Sequence, residues 1–347
     1  PLKRLRGLLE DGAASGTVDV AVEAPDGVTV STISAADARA LGGPAPVDRI
    51  AALAAAHADQ VTLVDVAAEA SLDAPVVVTV TGSGAERAFG NLVVRVGAFA
   101  KAIVVLEHRG SAVYAGNTTL LVGDGASVEF AGLQLWEDDA VHGGQTSIVV
   151  GRDAEVRTIS ASLGGDLVRL VETAEYSGAG GSVEQLGLYF VDAGQHIEHR
   201  LFVDHNAPKT RSNVDYRGAL QGEGAHSVWV GDVLIRKVAE GIETYESNKN
   251  LVLTDGCRAD SVPNLEIETG NIAGAGHAST TGRFDDEQLF YLRSRGIDEA
   301  EARRLVVHGF FADIIRRIGV PRVEQRLLEA VEAELAVNVG LPTSSAV

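Results

Sequence analysis

Histidine and cysteine are the side chains best suited to hold a metal or to activate a nucleophile, and this sequence has 9 of the first and 1 of the second. His277 stands in NIAGAGHASTTG, Asn271 to Gly282, among glycine, alanine and small hydroxyl residues. Nothing in that run shields an imidazole, and nothing charged is near enough in sequence to pair with it. Two readings follow: a ligand held on an open surface, or a histidine in a loose turn. The one close pair, His196-x-x-His199 in GQHIEHR, makes a poor metal site on a strand, where positions three apart point to opposite faces. Ordinary half-exposed strand histidines are expected there. His142 and His226 fall at turns or strand starts, as surface residues, and His308 beside Gly309 reads as a helix contact. Cys257 alone can neither close an intrachain disulfide nor hold a tetrahedral metal.

Other catalytic signatures are sparse. There is no Gly-x-x-x-x-Gly-Lys-Ser/Thr phosphate cradle and no Gly-x-Ser-x-Gly elbow. Asp138-Asp139 reads as a turn and Asp285-Asp286-Glu287 as the first turn of a helix. The chain carries 48 acidic against 29 basic residues, a formal charge of −19, which disfavours a nucleic-acid partner. No apolar run reaches the roughly 18 residues of a membrane span, and no signal peptide opens the chain. One cysteine in 347 residues fits a reducing compartment, and a cytoplasmic protein is expected. The chain opens on Pro1 and has no Met, so Pro1 is not expected to be the translational start.

The elements that must position these residues fall into three segments. Residues 1–75 are mixed. DVAVEAPDGVTVSTIS alternates around Pro25-Asp26-Gly27 and predicts a hairpin or two short strands, and Asp48 caps an Ala-rich helix over 48–58. Over 76–282 come short strands rich in valine and leucine, each closed by Gly or Asp. Gly97-x-x-Ala100, Gly123-x-x-Ala126 and Gly151-x-x-Ala154 each follow a valine; with Gly178 the glycines are 26, 28 and 27 residues apart. Such regular return suits the coils of a β-helix better than a sandwich or barrel. Val96, Val122 and Val150 should then stack on successive coils. Residues 283–347 switch to three amphipathic helices, a cap on one end of the solenoid or a docking face. Some β-helices act on polysaccharides through carboxylates stacked on successive coils, but the matching repeat positions here are Phe99, Gly125 and Asp153.

The C-terminal third carries a resemblance. NKNLVLTD, the Pro-x-Leu-Glu-Ile of Pro263 to Ile267, His277 followed by small residues, and FYLRSRGI together resemble the SufB/SufD family of iron–sulfur cluster assembly proteins. The likeness extends more weakly through APKTRSNVDYRGAL and the valine-rich strands to PLKRLRG, and so covers most of the chain. It implies a mainly β protein: a right-handed parallel β-helix core, helical segments on the N-terminal side and a C-terminal helical domain. It implies a non-catalytic scaffold in which a B-type and a D-type subunit pair, each docks the SufC ATPase through its C-terminal helices, and a cluster is built at the B–D interface. Many D-type members have Cys-x-His where this chain has Ala275-Gly276-His277, and B-type members carry more cysteines, so the D-type is preferred. On this resemblance His277 is the candidate ligand to a transient cluster in the complex, with none held tightly by the isolated chain. The stripe Leu305, Phe310, Ile314 and Ile318 is the candidate ATPase-docking face. A homodimer is expected when no B-type subunit is present. Two rival classes stay open, a carbohydrate-active β-helix enzyme and a generic β-solenoid interaction protein.

Overall fold

The N-terminal strands flank the Pro25-Asp26-Gly27 turn without pairing across it. In the computed structural model, which describes residues 2–58, 60–284, 286–317 and 320–338, a 3-10 turn at Leu2–Leu5 leads into α1 (Arg6–Leu9) and then β1 (Val18–Glu23) and β2 (Val28–Ser34). Of the two forms the alternation allowed, two separate strands is the one found. β2 runs antiparallel to β3 (Gln60–Val66), and β1 runs antiparallel to β4 (Val76–Val96). Helices α2 (Ala35–Ala40) and α3 (Arg49–His57) lie between β2 and β3. The Asp48 carboxylate accepts from the Ile50 N–H at 2.9 Å and so caps α3, which buries Ile50, Ala51 and Ala54.

From β3 onward the pairings are parallel. Val66 is in register with Val96, Val96 with Val122 of β5 (Lys101–Val122), and Val122 with Val150, so the three repeat valines do stack. Parallel strands joined by short turns require the chain to pass through an opposite sheet before each return. One ladder climbs through β6 (Ser127–Trp136), then β8 (Glu155–Ser162), β10 (Ser182–Val191), β12 (Arg211–Leu220), β14 (Glu243–Val252) and β16 (Gly274–Arg283). The facing ladder climbs through β7 (Val141–Val150), β9 (Leu167–Tyr176), β11 (His196–His205), β13 (His226–Ile235) and β15 (Arg258–Ile267), and the long β5 serves both. The result is a β-solenoid of about 8 turns.

The glycine repeat is a corner. The N–H groups of Ala100, Ala126 and Ala154 each donate to the carbonyl of the glycine three residues earlier, at 3.2 Å. Stacked corners touch through backbone: a Cβ on Gly151 would lie 2.6 Å from the Gly123 carbonyl carbon. The residue after each turn's second position is left-handed, with φ of 60° at Phe99, 65° at Gly125 and 52° at Asp153. That shared conformation, not a shared chemistry, relates the three dissimilar residues. The stacked outer acids Glu129 and Glu184 do not form a bare carboxylate ladder either, because Arg157 lies between them and bonds Glu184 at 2.8 Å.

The interior is apolar along much of its length and polar at its middle. Val78, Val94, Val104, Val128, Val156 and Val183 belong to one buried cluster. Beside it, a cavity of about 50 Å³ is lined in part by His108, Tyr114, His142, Glu172, His199 and Tyr216.

The C-terminal helices are α4 (Asp286–Ser294), α5 (Glu299–Arg316) and α6 (Pro321–Asn338). The left-handed Gly296 ends α4, and the Asp298 side chain caps α5. They do not cap one end. α5 and α6 lie along the outer face of the even-numbered ladder, where Val307, Phe311, Ile314 and Ile315 join Ile159, Leu186, Leu188 and Phe190 in a second buried cluster. The reason lies in β10: LGLYFV is apolar on both faces, so its outer face needs a cover. Ion pairs fasten the helices, Arg317 to Glu184 at 3.0 Å and to Asp215, and Arg326 to the buried Glu107. Among the described residues no helix is long and apolar enough to cross a membrane.

Candidate metal site

His277 lies on β16, a strand of the last coil. Register places it directly over Glu246 of β14, which lies over Val214 and Gln185 in the same row. Val214 and Gln185 are wholly buried, so this is the inward row of the solenoid. The His277 side chain is 43% exposed because, among the described residues, no further coil stands beyond it. It is therefore neither on a loose turn nor freely displayed. A strand orients it, and the open end of the solenoid exposes it. The small neighbours also have a structural use: Gly276 sits beneath the Tyr245 ring, 3.2 Å from where its Cβ would be.

Glu246 is the residue that sequence reading missed. Its carboxylate is 2% exposed, and Oε1 lies 3.9 Å from His277 Nδ1, beyond hydrogen-bonding range. Neither oxygen has a hydrogen-bond partner. Burial pushes its pKa up to about 7, and the charge of Asp232 adds to the effect. Glycine at 231 makes the room, since a Cβ there would lie 2.3 Å from Glu246 Oε2. The signal was present in the sequence as alternation: Thr244, Glu246, Asn248 and Asn250 form one row of β14, and a polar row is ordinarily assigned outward. Here all four are buried.

Cys257 does not join the pair. It sits in the turn after β14, its thiol donating to the Gly222 carbonyl at 3.4 Å, and burial raises its pKa. At a strand rise of about 3.3 Å per residue, the run from Glu246 to Val252 sets it about 20 Å away. Among the described residues no three His, Cys, Asp or Glu side chains are grouped to hold a metal. His277 and Glu246 bring one nitrogen and one oxygen to within 3.9 Å of each other.

The other histidines need correction. His196 and His199 are 2% and 3% exposed, not half-exposed, though they do diverge. His196 meets Glu198 at 3.3 Å and His226 at 3.2 Å, while His199 meets Ser162 at 3.2 Å and stacks on Tyr189. Burial pushes the His199 pKa down to about 4. His142 is not a surface residue but is buried inside the solenoid, with Nδ1 2.8 Å from Gln134 and its ring 4.9 Å from that of His108. A strand start holds for His226, which pairs with Asp260 at 2.8 Å, and a helix contact holds for His308, which meets Glu332 of α6 at 3.4 Å.

The apolar stripe on α5 divides. Leu305 is 42% exposed; Phe310 is half-buried with the Arg217 guanidinium 5.7 Å over its ring; Ile314 is 2% exposed and packs on the solenoid, so it is not open to a partner. Ile318 lies outside the described residues. Among the described residues of the helical segment, the most exposed large apolar side chains are instead Phe290 and Tyr291 of α4, at 74% and 56%.

Fold and site together define a parallel β-solenoid with a histidine and a buried carboxylate at one end and a helical cover along its flank. Residues 78–310 match the family model for the SUF system FeS cluster assembly, SufBD core domain. A Mycobacterium tuberculosis iron-sulfur cluster assembly SufBD family protein is 52% identical over 346 residues, 97% of this chain and 87% of that one. A Mycobacterium leprae protein of the same description is 49% identical over 354 residues, 99% and 90% of the two chains. The Bacillus subtilis iron-sulfur cluster assembly protein SufD is 34% identical over 113 residues, 33% and 26% of the two. The chain belongs to the SufBD family of iron–sulfur cluster assembly proteins.

Proposed function

We propose that this chain is the D-type scaffold subunit of the SUF machinery: it pairs with a cysteine-rich B-type subunit, docks the SufC ATPase, and offers His277 to a nascent cluster where the two scaffolds meet. The observation that carries this reading is the place of His277, on an edge strand at the open end of the solenoid. Among the described residues β15 and β16 end the two ladders, so each leaves a row of backbone N–H and C=O groups without a strand partner there. Strands of a second subunit would satisfy them and bring that subunit's thiolates up to His277. When only copies of this chain are present, the same edges favour a homodimer.

The cluster is cargo. An imidazole in place of a thiolate gives a weaker, more open site, which suits a cluster that must be released. The D-type assignment rests on Ala275-Gly276-His277, on the single cysteine, and on the likeness to a protein named SufD. ATP hydrolysis falls to the partner and the reaction to the cytoplasm. Glu246 lies beneath His277, one coil back.

The test is co-purification of the tagged chain with the B-type and ATPase subunits, followed by His277→Ala in that complex. The exposed ring contributes little packing, so stability should change by no more than about 0.5 kcal/mol. Complex formation should persist, and the visible absorbance of the assembled cluster should fall. Normal cluster formation by His277→Ala would remove His277 from the reaction.

A further inference from the structure

Glu246 is unusual for a structural carboxylate. A buried carboxylate normally collects hydrogen-bond donors, because leaving water without them is costly. This one has none. Below it in the row stands Val214, and beside it the chain has glycine at 231 and the Trp229 ring edge. The nearest acid, Asp232, already accepts from Asn264 Nδ2 at 2.6 Å and repels a second negative charge. The nitrogen that register sets over it is His277 Nδ1, at 3.9 Å. Two donors each about 2.1 Å from a shared tetrahedral ion lie about 3.4 Å apart. A small swing of the exposed imidazole covers the difference.

We propose that Glu246 and His277 together form a two-donor site for a divalent transition metal, Glu246 giving a carboxylate oxygen and His277 its Nδ1. Water, or a docked subunit, completes the shell. The proposal rests on reading His277 as a ligand and adds a second protein donor to it, from the coil beneath. One oxygen and one nitrogen suit ferrous iron and its stand-in Co2+, and reject soft cuprous ion.

The test is a Co2+ titration of the full chain, with excess Mg2+ present to occupy the acidic surface, read by visible d–d absorption. Wild type should saturate near one equivalent. Glu246→Gln keeps the shape of the side chain, and its affinity should fall by at least the ~10–100-fold that even an outer-sphere partner is worth. His277→Ala should lose the band. Co2+ should also broaden the carboxyl carbon resonance of Glu246 in the wild-type protein, a reading that needs no variant to fold. Unchanged affinity in Glu246→Gln with no broadening, alongside loss in His277→Ala, would overturn the role of Glu246 and leave His277 standing. Unchanged binding in both variants would overturn both. Absence of any saturable band in wild type would overturn the site.

Discussion

Inside a solenoid coil a polar side chain has only the neighbouring rows to satisfy it, and the buried imidazoles of this chain show what that does to their titration. Burial pushes His108, His199 and His205 from 6.5 down to about 4. The unfolded chain therefore takes up these protons first, near pH 6.5, and the folded chain only near pH 4. Each neutral imidazole contributes stability that is complete above pH 6.5 and lost as pH falls through that window. By pH 5 the loss is roughly 2 kcal/mol for each. Glu172 and Glu246, whose pKa values burial raises, act in the opposite direction, so the informative quantity is a difference between proteins. His199→Gln should lower stability at pH 7.5, since it loses the Ser162 contact and the ring stacking, but should shrink the drop between pH 7.5 and pH 5 by roughly 2 kcal/mol. Denaturant unfolding at the two pH values checks this; the same drop in both proteins would mean that His199 is not held neutral.

At the scale of the element, the corner turn decides what the strands can do. Gly97, Gly123 and Gly151 let successive corners approach through backbone, and the left-handed residue after them reverses the chain. Phe99 occupies that left-handed position with φ of 60° and a ring 65% exposed. A left-handed L-residue costs about 1–2 kcal/mol, and a glycine there costs about 0.5–1 kcal/mol of extra unfolded-state entropy. The difference favours glycine, so Phe99→Gly should stabilise the protein by about 0.5–1 kcal/mol and raise its melting temperature. A lowered melting temperature would show that the Phe99 ring, lying over Gly125, contributes more than the strain costs.

Across the whole molecule, the helices bind to the flank and leave the end open. Removing 284–347 would uncover the outer apolar face of β10 together with any docking surface, so truncation cannot separate the two. Point changes can. Phe290 and Tyr291 are exposed on α4, whereas Leu289 beside them in the chain is buried. The double variant Phe290→Ser, Tyr291→Ser should leave the melting temperature within about 1 °C, since surface changes away from the core move stability by about 0.5 kcal/mol or less. It should weaken capture of the ATPase subunit at least tenfold if α4 is the docking element. Undiminished capture would move the docking surface elsewhere on the helical segment.

The sequence by itself determined the coil. Repeat spacing is a local property, because a corner needs glycine wherever backbones meet, and Val96, Val122 and Val150 follow from it. It also determined the helix start at Asp48, where capping is read over a few residues. His277 was legible through the family motifs around it. Only the tertiary structure decided which way each row faces. A period of two marks alternate faces without saying which is inside, so His142 and His199, which are buried, were expected at the surface or half-exposed, and the buried polar row of β14 gave no sign of facing inward. The same ambiguity put Ile314 on a docking face, when the two-sided apolar strand β10 had first claim on it. The pairing of Glu246 with His277 joins residues a full coil apart in the chain, and register alone brings them together.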